Sequence, residues 1–305
     1  MQDKINFIPF KNINFEKWDN VLQISDNAFI YATSPYLNAM CEQWDALVMN
    51  DYEYIMPLPS RNKYSISYIY LPAFTQQLGI FSNKDITPSV VDAFISAIPQ
   101  KFKYCELNLN HTNTTNVYTP LQRKNYLLRL SLPYQQLQDN YSRSAKRNIN
   151  KAKEEGISVK EHVSVNEIIE MHRKRFKDKV GVTAGDYLKF GSLTDVFLLK
   201  KQCYTFGAYN KDNELIAGSI YLLYKQRLTF ILNGNSPESL QCGATHLLKD
   251  YVIEKFSASG LVLDFEGSDS PNFSRFYEQF GAKEIEYYPF LVLNRLPFFL
   301  KWLKR

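Results

Sequence analysis

The chain has 305 residues, 45% of them hydrophobic and 22% charged, and its 21 Phe, 21 Tyr and 3 Trp supply enough apolar surface to exclude a disordered chain. At about 150 residues per domain, the length fits two domains that need neither disulfide nor metal to stay folded. Lys and Arg number 36 against 31 Asp and Glu, and the net charge of +5 is unevenly spread: segments 141–160, 172–179 and 295–305 each carry +4, leaving the rest negative. Such segments are solvated helix faces, or surfaces for phosphate-bearing partners and anionic lipid.

No apolar stretch approaches the roughly 20 residues of a spanning helix, and the first residues lack the basic-then-apolar pattern of a secretory leader. A soluble cytoplasmic protein is expected. Cys41, Cys105, Cys203 and Cys242 stand far apart, as do His111, His162, His172 and His246. Neither set has metal-ligand spacing, so no metal site is expected.

In chain order, periodicity predicts helices over 15–25 and 36–44, strands over 46–49, 54–58 and 65–71, a helix opening at Pro88, and strands over 104–109 and 126–130. After a join near 131–135, residues 137–155 read as helix ended by Gly156, and 157–161 as strand. Helices over 166–179 and 187–200 follow, then strands over 203–209, 215–224 and 228–232, the first two joined by an Asp212-Asn213 turn. The chain finishes with helix 244–257, strand 261–265, helix 272–280 stopped by Gly281, and strand 285–293. Two helices, an antiparallel meander, a helix and a strand occur twice in this order. The repeat predicts an α/β protein with mixed (α+β) sheets and two homologous domains, 1–133 and 134–305. The basic, aromatic tail 296–305 predicts a docking segment that closes the core, with peripheral membrane contact as the alternative.

Four constellations carry candidate chemistry. Asn233 follows strand 228–232, and Gly243, Ala244 and Thr245 open a helix whose unpaired amides suit an anion, although a plainly capped loop has the same composition. Strand 261–265 runs into Asp264 and Glu266 ahead of a helix bearing Tyr277. Polar groups past a strand's C-terminal end are typical of α/β sites, with a carboxylate as base and the tyrosine as proton donor to a leaving group. The alternative is that Asp269 or Ser270 only caps the helix and Tyr277 packs on the sheet. Arg143, Arg147 and Lys151, four apart, stack on one helix face and suit a pyrophosphate or an RNA backbone. Gln76 and Gln77 lie in the aromatic, amide-bearing loop 70–79, which by the repeat corresponds to the loop after Leu232 and is expected to line the domain junction and help bind substrate, with a plain hydrophobic loop as the alternative.

Phe276-Tyr-Glu-Gln-Phe-Gly-Ala282, followed by Tyr287-Tyr288, resembles the closing helix of GNAT acyltransferases. Arg147-Asn-Ile-Asn-Lys-Ala152 ahead of Gly156, with Leu263-Asp-Phe-Glu-Gly267, resembles the Fem-type peptidyltransferases, tandem GNAT-fold enzymes that add amino acids to peptidoglycan precursors. The likeness covers most of residues 140–290. It implies two tandem GNAT-like domains and transfer of an acyl or aminoacyl group to a small-molecule amine or peptide, a cell-envelope precursor among them. It also implies a coenzyme A thioester or aminoacyl-tRNA as co-substrate, no tightly bound cofactor and no DNA partner. Two positions depart from the pattern: Leu240 stands where the GNAT coenzyme A loop has Gln or Arg, and Tyr277 where Fem-type enzymes often have Lys. A non-catalytic nucleotide- or RNA-binding protein on a degenerate GNAT fold is the alternative from another class.

Overall fold

The computed structural model describes residues 4–176, 181–267 and 270–300. The chain forms two compact units, one of residues 1–123 with 287–305 and the other of residues 124–286.

In the first unit β1 (Ile5–Ile8) is followed by α1 (Phe15–Ile24) and α2 (Ser34–Met40). Next come β2 (Gln43–Met49), β3 (Tyr54–Lys63), β4 (Ile66–Ile69), α3 (Pro88–Ala97) and β5 (Phe102–Asn108). Asn14 accepts the Lys17 amide and Thr87 the Val90 amide, so α1 and α3 each begin with an orphan donor satisfied. α3 buries Val91, Phe94 and Ile95 in one cluster with Leu47, Leu58, Ile69 and Leu107 of the strands. Spacing i, i+3, i+4 is the face such a helix turns to a sheet. The helix expected over 36–44 stops at Met40, because Trp44 pairs opposite Pro59 in the ladder and packs edge-on to Trp18 at 4.9 Å.

The rest of the chain supplies β6 (Leu121–Arg129), α4 (Tyr134–Asp139), α5 (Arg143–Glu154), β7 (Ser158–Glu161), α6 (Val165–Phe176) and α7 (Ala184–Leu199). It continues with β8 (Cys203–Tyr209), β9 (Leu215–Tyr224), β10 (Arg227–Asn235), α8 (Pro237–Gln241), α9 (Ala244–Lys255), β11 (Val262–Asp264), α10 (Pro271–Glu278) and β12 (Glu284–Asn294). The last residues of the helix expected over 166–179 lie outside the described residues.

The two units repeat one strand plan. β1 to β4 are antiparallel, β5 lies parallel to β4, and Phe290–Asn294 of β12 runs antiparallel to β5. In the second unit β7 to β10 are antiparallel, β11 lies parallel to β10, and β6 runs antiparallel to β11. The sixth strand is exchanged: β6 follows β5 in the chain but pairs with β11, and β12 follows β11 but pairs with β5. For that reason the division expected at 133/134 is corrected, and residues 287–305 go with the first unit.

Helices cover both faces of the second unit's sheet. Gly218 of β9 stands opposite Gly234 of β10. A Cβ on Gly218 would come within 2.6 Å of Ile168, and one on Gly234 within 2.5 Å of Met171, so the two glycines let α6 lie directly on the strands. Tyr221, three residues beyond Gly218, points to the opposite face and meets α9. There Leu247, Leu248, Val252 and Ile253 join Phe206, Leu228 and Leu263 in the core. Among the described residues no helix is long and apolar enough to cross a membrane.

Candidate active site

β10 and β11 pair only over Arg227–Thr229 and Val262–Asp264. Beyond that point β10 continues to Asn235 with a register break between Phe230 and Leu232, while the Phe265 amide turns to the Tyr126 carbonyl of β6. The parallel pair therefore opens like a fork at Phe230 and Phe265, and aromatic and titratable groups fill its α9 side. The Tyr277 ring lies 4.9 Å from Phe265 and 5.9 Å from Tyr126. Lys249 of α9 places its Nζ 3.3 Å from the Phe230 ring centroid and 5.1 Å from that of Phe265, and donates to the Tyr221 hydroxyl at 2.7 Å.

Of the three expected catalytic residues, Tyr277 is buried at 7% exposure. Burial, reinforced by the charges of Glu266 and Asp264, pushes its hydroxyl above the usual tyrosine range, so it stays protonated at neutral pH. Glu266 keeps some exposed surface and has a left-handed backbone, φ +59°. Its amide donates to Asp264 Oδ1 at 2.8 Å, which holds that turn. Asp264 is held as the ion-pair partner of Arg227 rather than left to act as a base. It is fully buried, and Oδ2 accepts from Arg227 at 2.7 Å. Arg227 also bonds Glu286 at 3.0 Å, and Asn125 donates to Glu286 at 3.2 Å. Burial pushes the Asp264 carboxyl up and Arg227 pulls it back down, while burial opposes the Arg227 charge but its two carboxylates outweigh it. Asp264 thus anchors the strand end and the Glu266 turn.

The expected donor loop is closed rather than open. Gly243 has φ +80° and a Cβ there would lie 2.2 Å from the Asn148 carbonyl oxygen, so α5 packs backbone to backbone on the start of α9. Ala244 is fully buried and its amide is directed at the Cys242 sulfur, leaving Thr245 as the member with exposed surface. The basic row lies beside this start, as part of α5. Lys151 donates to the Gln241 carbonyl at 2.8 Å and so caps α8. Arg143 and Arg147 are exposed and make no hydrogen bond or ion pair among the described residues.

A cavity of about 570 Å³ opens at the C-terminal end of β10, lined by Met171, Lys174 and Arg175 of α6 together with Leu215, Asn235 and Leu240. With its amide turned so that both ends bond, Asn235 accepts from Asn233 at 2.8 Å and from Arg175 at 3.2 Å. Asn233 is thereby tied to the cavity wall, and its carbonyl bonds His172 Nδ1 at 2.7 Å. Burial pushes the His172 pKa below its ordinary value, so the ring is neutral at pH 7.

Gln76 and Gln77 do not present a binding surface. Both are buried in the first unit, where Gln77 Nε2 bonds Gln76 Oε1 at 2.9 Å and Gln77 Oε1 accepts the His111 amide at 3.1 Å. The two amides are held by each other and by the His111 backbone, which corrects the substrate-binding expectation. In the tail, Leu296 is buried and Arg295 bonds the Ile98 and Pro99 carbonyls, while Phe298 and Phe299 are exposed; residues 301–305 lie outside the described residues. Among the described residues no group of three or more His, Cys, Asp or Glu side chains comes together as metal ligands.

Sequence reading overlooked Lys249, Arg227, Lys174 and Arg175. The last two lie in the basic segment 172–179, a signal that was present but unresolved to residues. For Lys249 the signal was its place between apolar residues, Leu247-Leu248 and Tyr251-Val252, on the buried stripe of a helix.

No family model matches the sequence, and no curated protein matches it. Solved structures do. FemX matches with a TM-score of 0.66 at 11% identity, covering 100% of both chains. The C-terminal domain of a putative lysylphosphatidylglycerol synthetase from Agrobacterium fabrum matches at 0.57 and 8% identity, over 93% of this chain and 92% of that one. A tandem GNAT protein from the clavulanic acid biosynthesis pathway matches at 0.54 and 10% identity, over 96% and 99%. At such identities the likeness is one of fold. The chain carries the mixed α/β tandem GNAT fold, in the form that FemX has.

Proposed function

We propose that the second unit is an aminoacyltransferase that moves an aminoacyl group from aminoacyl-tRNA to the amine of a small-molecule or peptide acceptor, a cell-envelope precursor by likeness to the Fem-type enzymes. The observation that carries this reading is the exposed pair Arg143 and Arg147 beside a covered helix start. A coenzyme A pyrophosphate needs open amides at that start, whereas an RNA backbone needs cations along an exposed ridge. The cavity at the end of β10 favours a second reading, transfer from a coenzyme A thioester. Two cations beside Met171, Leu215 and Leu240 suit a donor with both phosphate and apolar parts. A cytoplasmic location goes with either donor.

Transfer from an ester to an amine passes through a tetrahedral intermediate whose leaving oxygen needs a proton or a hydrogen bond. Tyr277, held protonated by its surroundings, supplies one, and Glu266 beside it bears the nearby negative charge. The test is incubation of the purified chain with charged tRNA, and separately with acyl-coenzyme A thioesters, in the presence of amine and peptide acceptors, with the acceptor mass as readout. Transfer from tRNA supports the reading, and transfer from the thioester alone moves it to the second donor. Salt-sensitive tRNA binding with no transfer from either donor overturns it in favour of a binding protein. Tyr277→Phe lowers turnover by ~10²–10⁴, as loss of a general acid does, while stability stays within about 1 kcal/mol. Arg143→Ala with Arg147→Ala weakens tRNA binding and flattens its salt dependence by about one counterion per lost phosphate contact.

A further inference from the structure

We infer that Lys249 is the proton acceptor of the transfer reaction, acting through the Tyr221 hydroxyl; this rests on the transferase reading of the second unit. Lys249 is 3% exposed and lies on the sheet-facing side of α9. β9 brings Tyr221 against it, β10 brings Phe230, and the segment after β11 brings Phe265. Asp250, the next residue, turns away to accept from Tyr134 at 2.9 Å. Asp264 and Glu266 bear on Tyr277, and Tyr277 bears on Tyr221. Among the described residues no carboxylate pairs with Lys249.

An unpaired ammonium is among the least tolerated groups in a core, and the amine escapes that penalty by staying neutral. Burial pushes the Lys249 pKa well below the ordinary lysine value. The surroundings nonetheless favour a transient charge, since the Phe230, Tyr221 and Phe265 rings lie 3.3, 4.8 and 5.1 Å from Nζ and ring faces attract cations. A neutral amine at rest that tolerates protonation is what a base requires. Folding alone does not call for one, because Met or Leu fills the same volume with no polar group to desolvate.

The step balances as follows. The acceptor arrives as an ammonium and gives one proton, relayed by Tyr221, to the Lys249 amine. The freed nitrogen attacks the ester carbonyl, a C–N bond forms and the C–O bond to the ribose breaks. Tyr277 gives its hydroxyl proton to the ribose oxygen and takes the second proton of the attacking nitrogen in return, and the third stays on the amide. Lys249 then returns its proton to water. Lys249 acts through Tyr221 and is therefore a positioning and proton-holding residue.

Two measurements test this on the full chain. The first is urea unfolding of wild type and Lys249→Met from pH 6 to 11. A neutral buried lysine makes the wild type gain on the variant as pH rises, by up to about tenfold in unfolding constant per pH unit, until the gain ends near pH ~10.4. A difference that does not change with pH overturns the neutral amine. The second is the pH–rate profile with the donor that the transfer assay identifies. Lys249→Met loses ~10²–10⁴ in turnover and the acid limb of the profile, and Tyr221→Phe displaces that limb while leaving Lys249 in place. If Lys249→Met does not fold, Tyr221→Phe decides by the same profile. Wild type inactive with every donor defeats the transferase reading. Wild type active, with either variant matching its turnover and profile, defeats this inference alone.

Discussion

The two units repeat one strand plan but bury different chemistry. Among the described residues, the first unit buries a single charged side chain, Asp45, which accepts from the Phe10 amide and from the half-exposed Lys101. Its other buried polar groups are amides and hydroxyls, among them Asn113 and Asn108, which turn to the backbone of Ile80 and Gln76. The second unit buries Asp186, Lys249, Asp250 and Asp264, and two of its histidines, His172 and His246, have their pKa pushed down by burial. An amide satisfies a loop without titrating, whereas a buried ionisable group is costly unless paired and is concentrated where chemistry is done. On the proposed transferase reading, the difference separates a supporting unit from a reactive one.

The largest expected effect breaks the comparison at its charges. Arg227→Met strands Asp264 and Glu286 together, and urea unfolding should show a loss of about 3–5 kcal/mol. The matched change in the first unit, Lys101→Met, should stay within about 1 kcal/mol because that lysine is half solvated. If the two losses are equal, the units do not differ in kind.

Next in size is Gly234→Ala. Its Cβ would meet the Ile168 carbonyl at 2.7 Å as well as Met171, and helix backbone cannot step aside, so a loss of about 3 kcal/mol is expected. Gly260→Ala meets nothing within 4 Å but has φ +75°, and should lose only ~1–2 kcal/mol. Of similar size, Asn113→Ala leaves the Ile80 amide without its acceptor, at about 1–2 kcal/mol. Its turnover should equal wild type, and a tenfold fall would place chemistry in the first unit too.

The smallest effect is a pH dependence. His172 and His246 have folded pKa values below the unfolded value of about 6.5. Their stability contribution is complete above that pH and is lost as pH falls through the folded values. Melting temperatures between pH 7 and 5 should therefore fall less for His246→Gln than for wild type.

Much of the fold was legible because burial leaves a period in the sequence. Val91, Phe94 and Ile95 mark the core face of α3, and the Pro88 start and the Asp212-Asn213 turn stand as expected. The repeat was visible in element order. The exchanged sixth strand was not, since β6 and β12 have the same apolar pattern whichever partner they take. Tyr277 and Glu266 were expected from their place after a strand, and the structure sets the Glu266 charge near the Tyr277 hydroxyl, whereas Asp264 is an anchor of Arg227, 37 residues away.

Composition, charge segments and period determined by themselves that this is a two-part mixed α/β chain with a basic α5, because local propensity and a buried stripe need no distant partner to be read. Tertiary structure alone decided that Asn148 covers Gly243, that Gln77 bonds Gln76 and the His111 amide, and that Lys249 lies under Phe230 with Tyr221 as its partner. Each of those facts depends on which side chain or backbone atom from a distant part of the chain fills the adjoining space. That is set by packing, and packing leaves no period in the sequence.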